Sequence, residues 1–151
     1  MNLKLTLLTC ILCLTFSSKA QDSDYEVNRA MSDYYNVLKS EGYAPSYDGD
    51  NDDIKFKVEG KTYWLNRQGY KSQFALVRYI TNDDGCSSNM YKSLNSATKE
   101  TRYANATISD DCETIYISSY LYNNGEHVGK LVTVGISGIK YCSKMLLEHL
   151  E

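Results

Sequence analysis

From Ile54 to Val58 apolar and charged side chains alternate strictly, with Ile54, Phe56 and Val58 set against Lys55 and Lys57. A period of two is that of a strand with one buried face. Glu59-Gly60 follows as a two-residue connection in which Gly60 can take the positive φ of a tight hairpin, and Lys61 to Asn66 returns as the second strand. After a polar loop, Phe74-Ala75-Leu76-Val77-Arg78-Tyr79-Ile80 is apolar on both faces, so Gln73 to Ile80 predicts a central strand. These three strands form an antiparallel meander on which the rest must pack.

Helical spacing governs the flanks. Ser23-Asp24-Tyr25-Glu26 reads as a capping box, and Val27, Met31, Tyr34 and Leu38 form one apolar stripe on a helix that ends at Gly42. Pro45 keeps Tyr43 to Tyr47 extended, and Asp48 to Asp53 is a solvated acidic turn. A short helix from Ser87 to about Lys99 buries Met90, Leu94 and Ala97. Arg102 to Ser109 alternates again, with Ala104, Ala106 and Ile108 inward and Tyr103, Asn105 and Thr107 outward. Thr114 to Tyr122 puts Ile115, Ile117 and Leu121 opposite Tyr116, Tyr120 and Tyr122, and Asn123-Asn124-Gly125 stops it. Val128 to Leu150 is the last helix, with Val128, Leu131, Ile139, Cys142, Leu146 and Leu150 at helical spacing. Gly129, Gly135 and Gly138 cost it about 1 kcal/mol each relative to alanine, so packing on the sheet must hold it. The order α-β-β-β-α-β-β-α predicts an α+β two-layer sandwich, an antiparallel five-stranded sheet with the helices on one face.

Composition changes this picture at the N-terminus. Lys4, the apolar run Leu5 to Phe16 and Ser18-Lys19-Ala20 read as a secretory signal peptide over residues 1–20, cleaved before Gln21. Residues 21–151 are then one exported domain, periplasmic or secreted, with no membrane insertion after cleavage. The chain has 16 basic and 19 acidic residues, a net charge of −3, and loss of Lys4 and Lys19 widens the acidic excess. Such a surface argues against nucleic acid or anionic lipid as a partner. Of the five cysteines, Cys86, Cys112 and Cys142 lie outside the leader, enough for one internal bridge and one leftover thiol.

No set of residues carries a familiar catalytic or cofactor chemistry. Gly135-Ile136-Ser137-Gly138 lacks the second glycine of a nucleophile elbow and lies in a helical context. Cys142 has His149 seven residues on, about 10 Å along a helix, too far for a base. The acidic turn 48–53 has carboxylates at alternate positions, as a calcium loop would, but no helix enters or leaves it as one does at an EF-hand loop. We therefore expect no metal, no cofactor and no enzymatic activity.

Aromatic content gives the one candidate surface. Fourteen tyrosines against three phenylalanines mean apolar bodies with polar tips, suited to half-exposed recognition positions. With the apolar strand faces under the helices, Trp64, Tyr103, Tyr116 and Tyr120 share the opposite face with Lys55 and Lys57. Such a platform binds a protein, a peptide or a second copy of the chain; its alternatives are a small ligand or glycan, or plain cross-strand pairing.

Leu38-Lys39-Ser40-Glu41-Gly42-Tyr43, the acidic turn, Ile54 to Leu65 and Ala104-Asn105-Ala106-Thr107-Ile108 together resemble the YbjN family, often labelled bacterial sensory transduction regulators. That resemblance implies a type III secretion chaperone-like fold and a non-enzymatic, protein-binding role. In the resembled fold the fifth strand pairs antiparallel with the third. Cys86, just after the third, and Cys112, in the turn opening the fifth, then fall at one sheet edge, where a Cα separation of about 5.5 Å is attainable. The resemblance thus implies a Cys86–Cys112 disulfide, with Cys142 a buried thiol on the last helix.

Overall fold

The computed structural model describes residues 29–48, 53–68, 73–122 and 128–150; the expected leader and capping box, the centre of the acidic turn and Asn123-Asn124-Gly125 lie outside them. Residues 29–40 form helix α1. Gly42, at φ 86°, ends it in the left-handed conformation. There Gly42 N–H donates to Lys39 O (3.2 Å) and Tyr43 N–H to Leu38 O (3.0 Å), closing the carbonyls the last turn would leave open.

Strands β1 (Ser46–Asp48), β2 (Asp53–Val58), β3 (Lys61–Arg67) and β4 (Gln73–Thr81) follow. Helix α2 (Ser88–Glu100), β5 (Asn105–Ile108), β6 (Thr114–Tyr122) and α3 (Val128–Leu150) complete the chain. The strands make one antiparallel sheet in the order β1-β2-β3-β4-β6-β5.

The sheet has six strands, against the five expected. The extra one, β1, pairs Ser46 with Lys55 and Asp48 with Asp53 at the sheet edge. All three of its residues are exposed, so no alternation betrays it in the sequence. A second departure is that the Arg102–Ser109 run pairs only over Asn105–Ile108. The β2–β3 turn has positive φ at both central residues, Glu59 (51°) and Gly60 (77°), the geometry that matches strand twist.

One core lies between the sheet and the three helices. Met31, Tyr34 and Leu38 of α1, Met90, Leu94 and Ala97 of α2, and Ile136, Ile139, Cys142 and Leu146 of α3 are buried there. From the sheet come Ile54, Phe56, Val58, Tyr63, Leu65, Phe74, Leu76, Ile115, Ile117 and Leu121. Tyr34 meets Phe74 edge-on at 4.9 Å. Ser87 caps α2, its Oγ accepting from Met90 N–H at 3.0 Å. Gly135 lets α3 approach the sheet closely: a Cβ there would stand 3.1 Å from Leu76 Cδ2 and 3.2 Å from Leu121 Cδ2.

Cys86 and Cys112 form a disulfide with a Cα separation of 5.3 Å, and Cys142 is a buried free thiol. The β4–β6 register brings the cysteine loops together, Thr81 lying opposite Thr114. Asn82 fastens them: its N–H donates to Glu113 O (2.8 Å) and its Nδ2 to Gly85 O (3.1 Å) and Cys112 O (2.6 Å).

Candidate functional site

The sheet face away from the helices carries most of the expected aromatic platform, arranged as a row. Lys55 Nζ lies 5.4 Å from the Trp64 ring centre, Trp64 meets Tyr79 edge-on at 4.7 Å, and Tyr79 meets Tyr116 edge-on at 5.4 Å. The row crosses β2, β3, β4 and β6 because its members have one strand parity. Small residues fill the centre: Ala75 and Val77 point the same way and are buried there, opposite Tyr120 and Trp64.

Much of the row's polar capacity is already used. Trp64 Nε1 donates to Asp48 Oδ2 (2.9 Å), which also faces Lys55 Nζ at 3.8 Å. Asn66 Nδ2 donates to Asp53 Oδ2 (2.9 Å) and to Tyr79 OH (3.5 Å). Burial pushes the Tyr79 phenol up, against the hydrogen bond from Asn66. Trp64 and Tyr116 are half-buried, and Lys57 is exposed on the same face. Tyr79, which sequence reasoning placed on the central strand but not in the site, joins Trp64 to Tyr116. Its parity with Val77 was the available signal.

Tyr120, opposite Ala75, lies on the face of the row near the end of β6, whereas Tyr103 does not extend the sheet beside it. Tyr103 precedes β5 and is not paired in the sheet. Its Cβ and carbonyl oxygen are each 3.2 Å from where a Cβ on Gly138 would stand, so its backbone lies against α3. Burial still alternates as expected, with Ala104 inward and Tyr103 exposed, but pairing stops at Asn105, where the missing side chain at Gly138 lets the chain lie on α3. Between this bend and the last residues of β6 lies a cleft of about 530 Å³. Arg102 to Asn105 form one wall, Ser119 to Tyr122 the second, and Lys130, Leu131 and Val134 of α3 the third. Tyr103 (61%), Tyr120 (50%), Tyr122 (64%) and Val134 (37%) are exposed around it. Gln73 Nε2 donates to Tyr122 OH at 3.3 Å and steadies that ring.

The cleft offers apolar surface, tyrosine rings and two cations, Arg102 and Lys130. Its described lining holds no histidine, cysteine or carboxylate. Cys142 lies in the core, its thiol pushed up by burial and drawn back by a hydrogen bond with Thr101. His149 Nε2 lies 3.0 Å from Glu100 Oε1, joining α3 to α2. Among the described residues no group of histidine, cysteine and carboxylate side chains is placed to hold a metal. The ends of the acidic turn, Asp48 and Asp53, are engaged with Trp64, Lys55 and Asn66, while Gly49 to Asp52 lie outside the described residues. No described helix is long and apolar enough to cross a membrane.

No family model matches the chain, and no curated protein matches it. Solved structures do. The crystal structure of YbjN from E. coli superposes with a TM-score of 0.63 at 9% identity, over 78% of this chain and 89% of that one. An uncharacterized protein from Methanothermobacter thermautotrophicus superposes with a TM-score of 0.51 at 11% identity, over 80% of this chain and 93% of that one. At such identities the likeness is one of fold, and the fold is YbjN-like.

Proposed function

We propose that the chain is a non-enzymatic protein-binding module, chaperone- or adaptor-like, that acts in the periplasm or outside the cell after removal of residues 1–20. The observation that carries this reading is the cleft beside β6, where exposed tyrosines, apolar side chains and two cations converge with no histidine, cysteine or carboxylate in the described lining. The YbjN-like fold is compatible with a small regulator or adaptor. A glycan on Trp64 is the less favoured reading, because the indole N–H is committed to Asp48 and the ring is half-buried.

A photo-crosslinking residue at Tyr120, expressed in the exported protein, is expected to capture a discrete protein partner. The same residue at Lys144, exposed on α3 and outside the cleft lining, is expected to capture none. Equal labelling from both positions, or none from Tyr120, would sink the reading. Intact mass checks the export half of the proposal: the mature chain should begin at Gln21.

A further inference from the structure

Strand β6 is longer than the strand that covers it. Its nine residues all pair with β4, from Tyr122 opposite Gln73 to Thr114 opposite Thr81. On the other side β5 pairs only from Ile115 to Ser118, and the ladder continues outward as Ser109 N–H donates to Thr114 O at 2.8 Å. In an antiparallel ladder successive residues turn their N–H and C=O to opposite sides. Asn82 N–H donates to Glu113 O on the β4 side, so odd-numbered residues of β6 face β4 and even-numbered ones face β5. Tyr120 and Tyr122 therefore direct main-chain N–H and C=O past the start of β5, where no described residue receives them. The chain that could have covered them bends onto Gly138 at Tyr103.

The neighbouring edge is treated differently. Ala106 turns its N–H and C=O outward from β5, and Thr98 of α2 closes that position, with Oγ1 accepting from Ala106 N–H at 2.9 Å and lying 3.4 Å from Ala106 O. Uncovered edges are sites of strand pairing. Here the uncovered length borders the cleft.

We propose that this notch receives an extended peptide as an added strand, antiparallel to β6 along Tyr120–Tyr122, and that the peptide carries an apolar residue next to an acidic one. This deepens the protein-binding reading and rests on it. Peptide residues opposite Tyr120 and Tyr122 exchange main-chain hydrogen bonds with them. The residue between, opposite Leu121, points with Leu121 into the cleft towards Leu131 and Val134, which sets the apolar requirement. Arg102 and Lys130 line the same cleft, and neither pairs with a carboxylate among the described residues, which sets the acidic one.

Selection of a random dodecapeptide phage library on the oxidised protein tests this. Enriched peptides are expected to share an apolar residue within two positions of an aspartate or glutamate, in a run free of proline. A synthetic copy should bind about tenfold more weakly when the backbone nitrogens of the residues immediately before and after the apolar one are methylated, a change that leaves the protein untouched. Val134→Glu, at an exposed position, should weaken it by at least tenfold, and Trp64→Ala should leave it unchanged. Amide resonances of Tyr120 and Tyr122 should shift on binding. Failure to enrich any peptide over an unrelated control protein overturns the strand-addition proposal, as does affinity indifferent to N-methylation. Binding lost with Trp64→Ala but kept in Val134→Glu would preserve the protein-binding reading and move it to the aromatic row. A dimer that Val134→Glu dissociates would assign the notch to a second copy of the chain instead.

Discussion

Two glycines of α3 are equivalent in the sequence and different in what lies against them. A Cβ at Gly129 would meet Val37 Cγ1 at 3.4 Å, an ordinary contact, so Gly129→Ala is expected to stabilise the protein by up to about 1 kcal/mol through helix propensity. A Cβ at Gly138 would meet the carbonyl carbon and oxygen of Tyr103 at 3.3 and 3.2 Å, and backbone cannot rotate aside. Gly138→Ala should therefore cost about 1–3 kcal/mol despite the better propensity. Urea midpoints of the two variants decide it; equal stabilisation would show that Tyr103 is not held against the helix. Cys142 gives a second test. Burial keeps its thiol protonated and out of reach, so in oxidised protein made without residues 1–20 a thiol reagent at pH 8 should find nothing in the native state and one equivalent after denaturation. Modification of the native protein would place Cys142 at the surface.

At the scale of elements, the disulfide and Asn82 work on the same junction. The bridge closes a loop of 26 residues, worth roughly 3 kcal/mol in the chain-entropy model, and reduction should lower the unfolding free energy by about that much. Asn82 bonds to both cysteine loops through backbone carbonyls and not through the sulfurs. Asn82→Ala should thus slow oxidation of the reduced folded protein, read by mass spectrometry of quenched samples; an unchanged rate would mean that the sheet register alone aligns the cysteines. Much of this level was legible in the sequence. β6 and α3 have the bounds their periodicity predicts, because each buries one continuous face. β1 was not legible, since an exposed three-residue edge strand leaves no periodic trace. Tyr103 misled for a related reason: alternation records which way a side chain faces and not whether the strand is paired, and the chain there lies on a helix distant in sequence.

For the whole molecule, the two-layer α+β arrangement followed from where the apolar residues fall, while the cleft did not. Its walls come from three segments far apart in the chain, and its opening is set by where β5 ends. The aromatic row was legible as one face, while the Trp64–Asp48 hydrogen bond was not, because it depends on the unforeseen β1. Trp64→Ala and Tyr116→Ala remove rings that cover Val77 and pack on Tyr79. Each is expected to lower stability by about 1–3 kcal/mol, a cost of lost packing measured by thermal or urea unfolding. Unchanged midpoints would return the row to the status of a free platform. The disulfide has a further consequence at this scale. It converts α2 and β5 into a covalent ring anchored at Cys112, beside the Ile108 end of β5. Fraying of β5 must then begin at the far end, Asn105, and run towards the anchor like a zip with its base sewn shut. Hydrogen exchange should be faster at Asn105 than at Ser109, and each residue released would lengthen the notch beside β6 without setting the ring adrift.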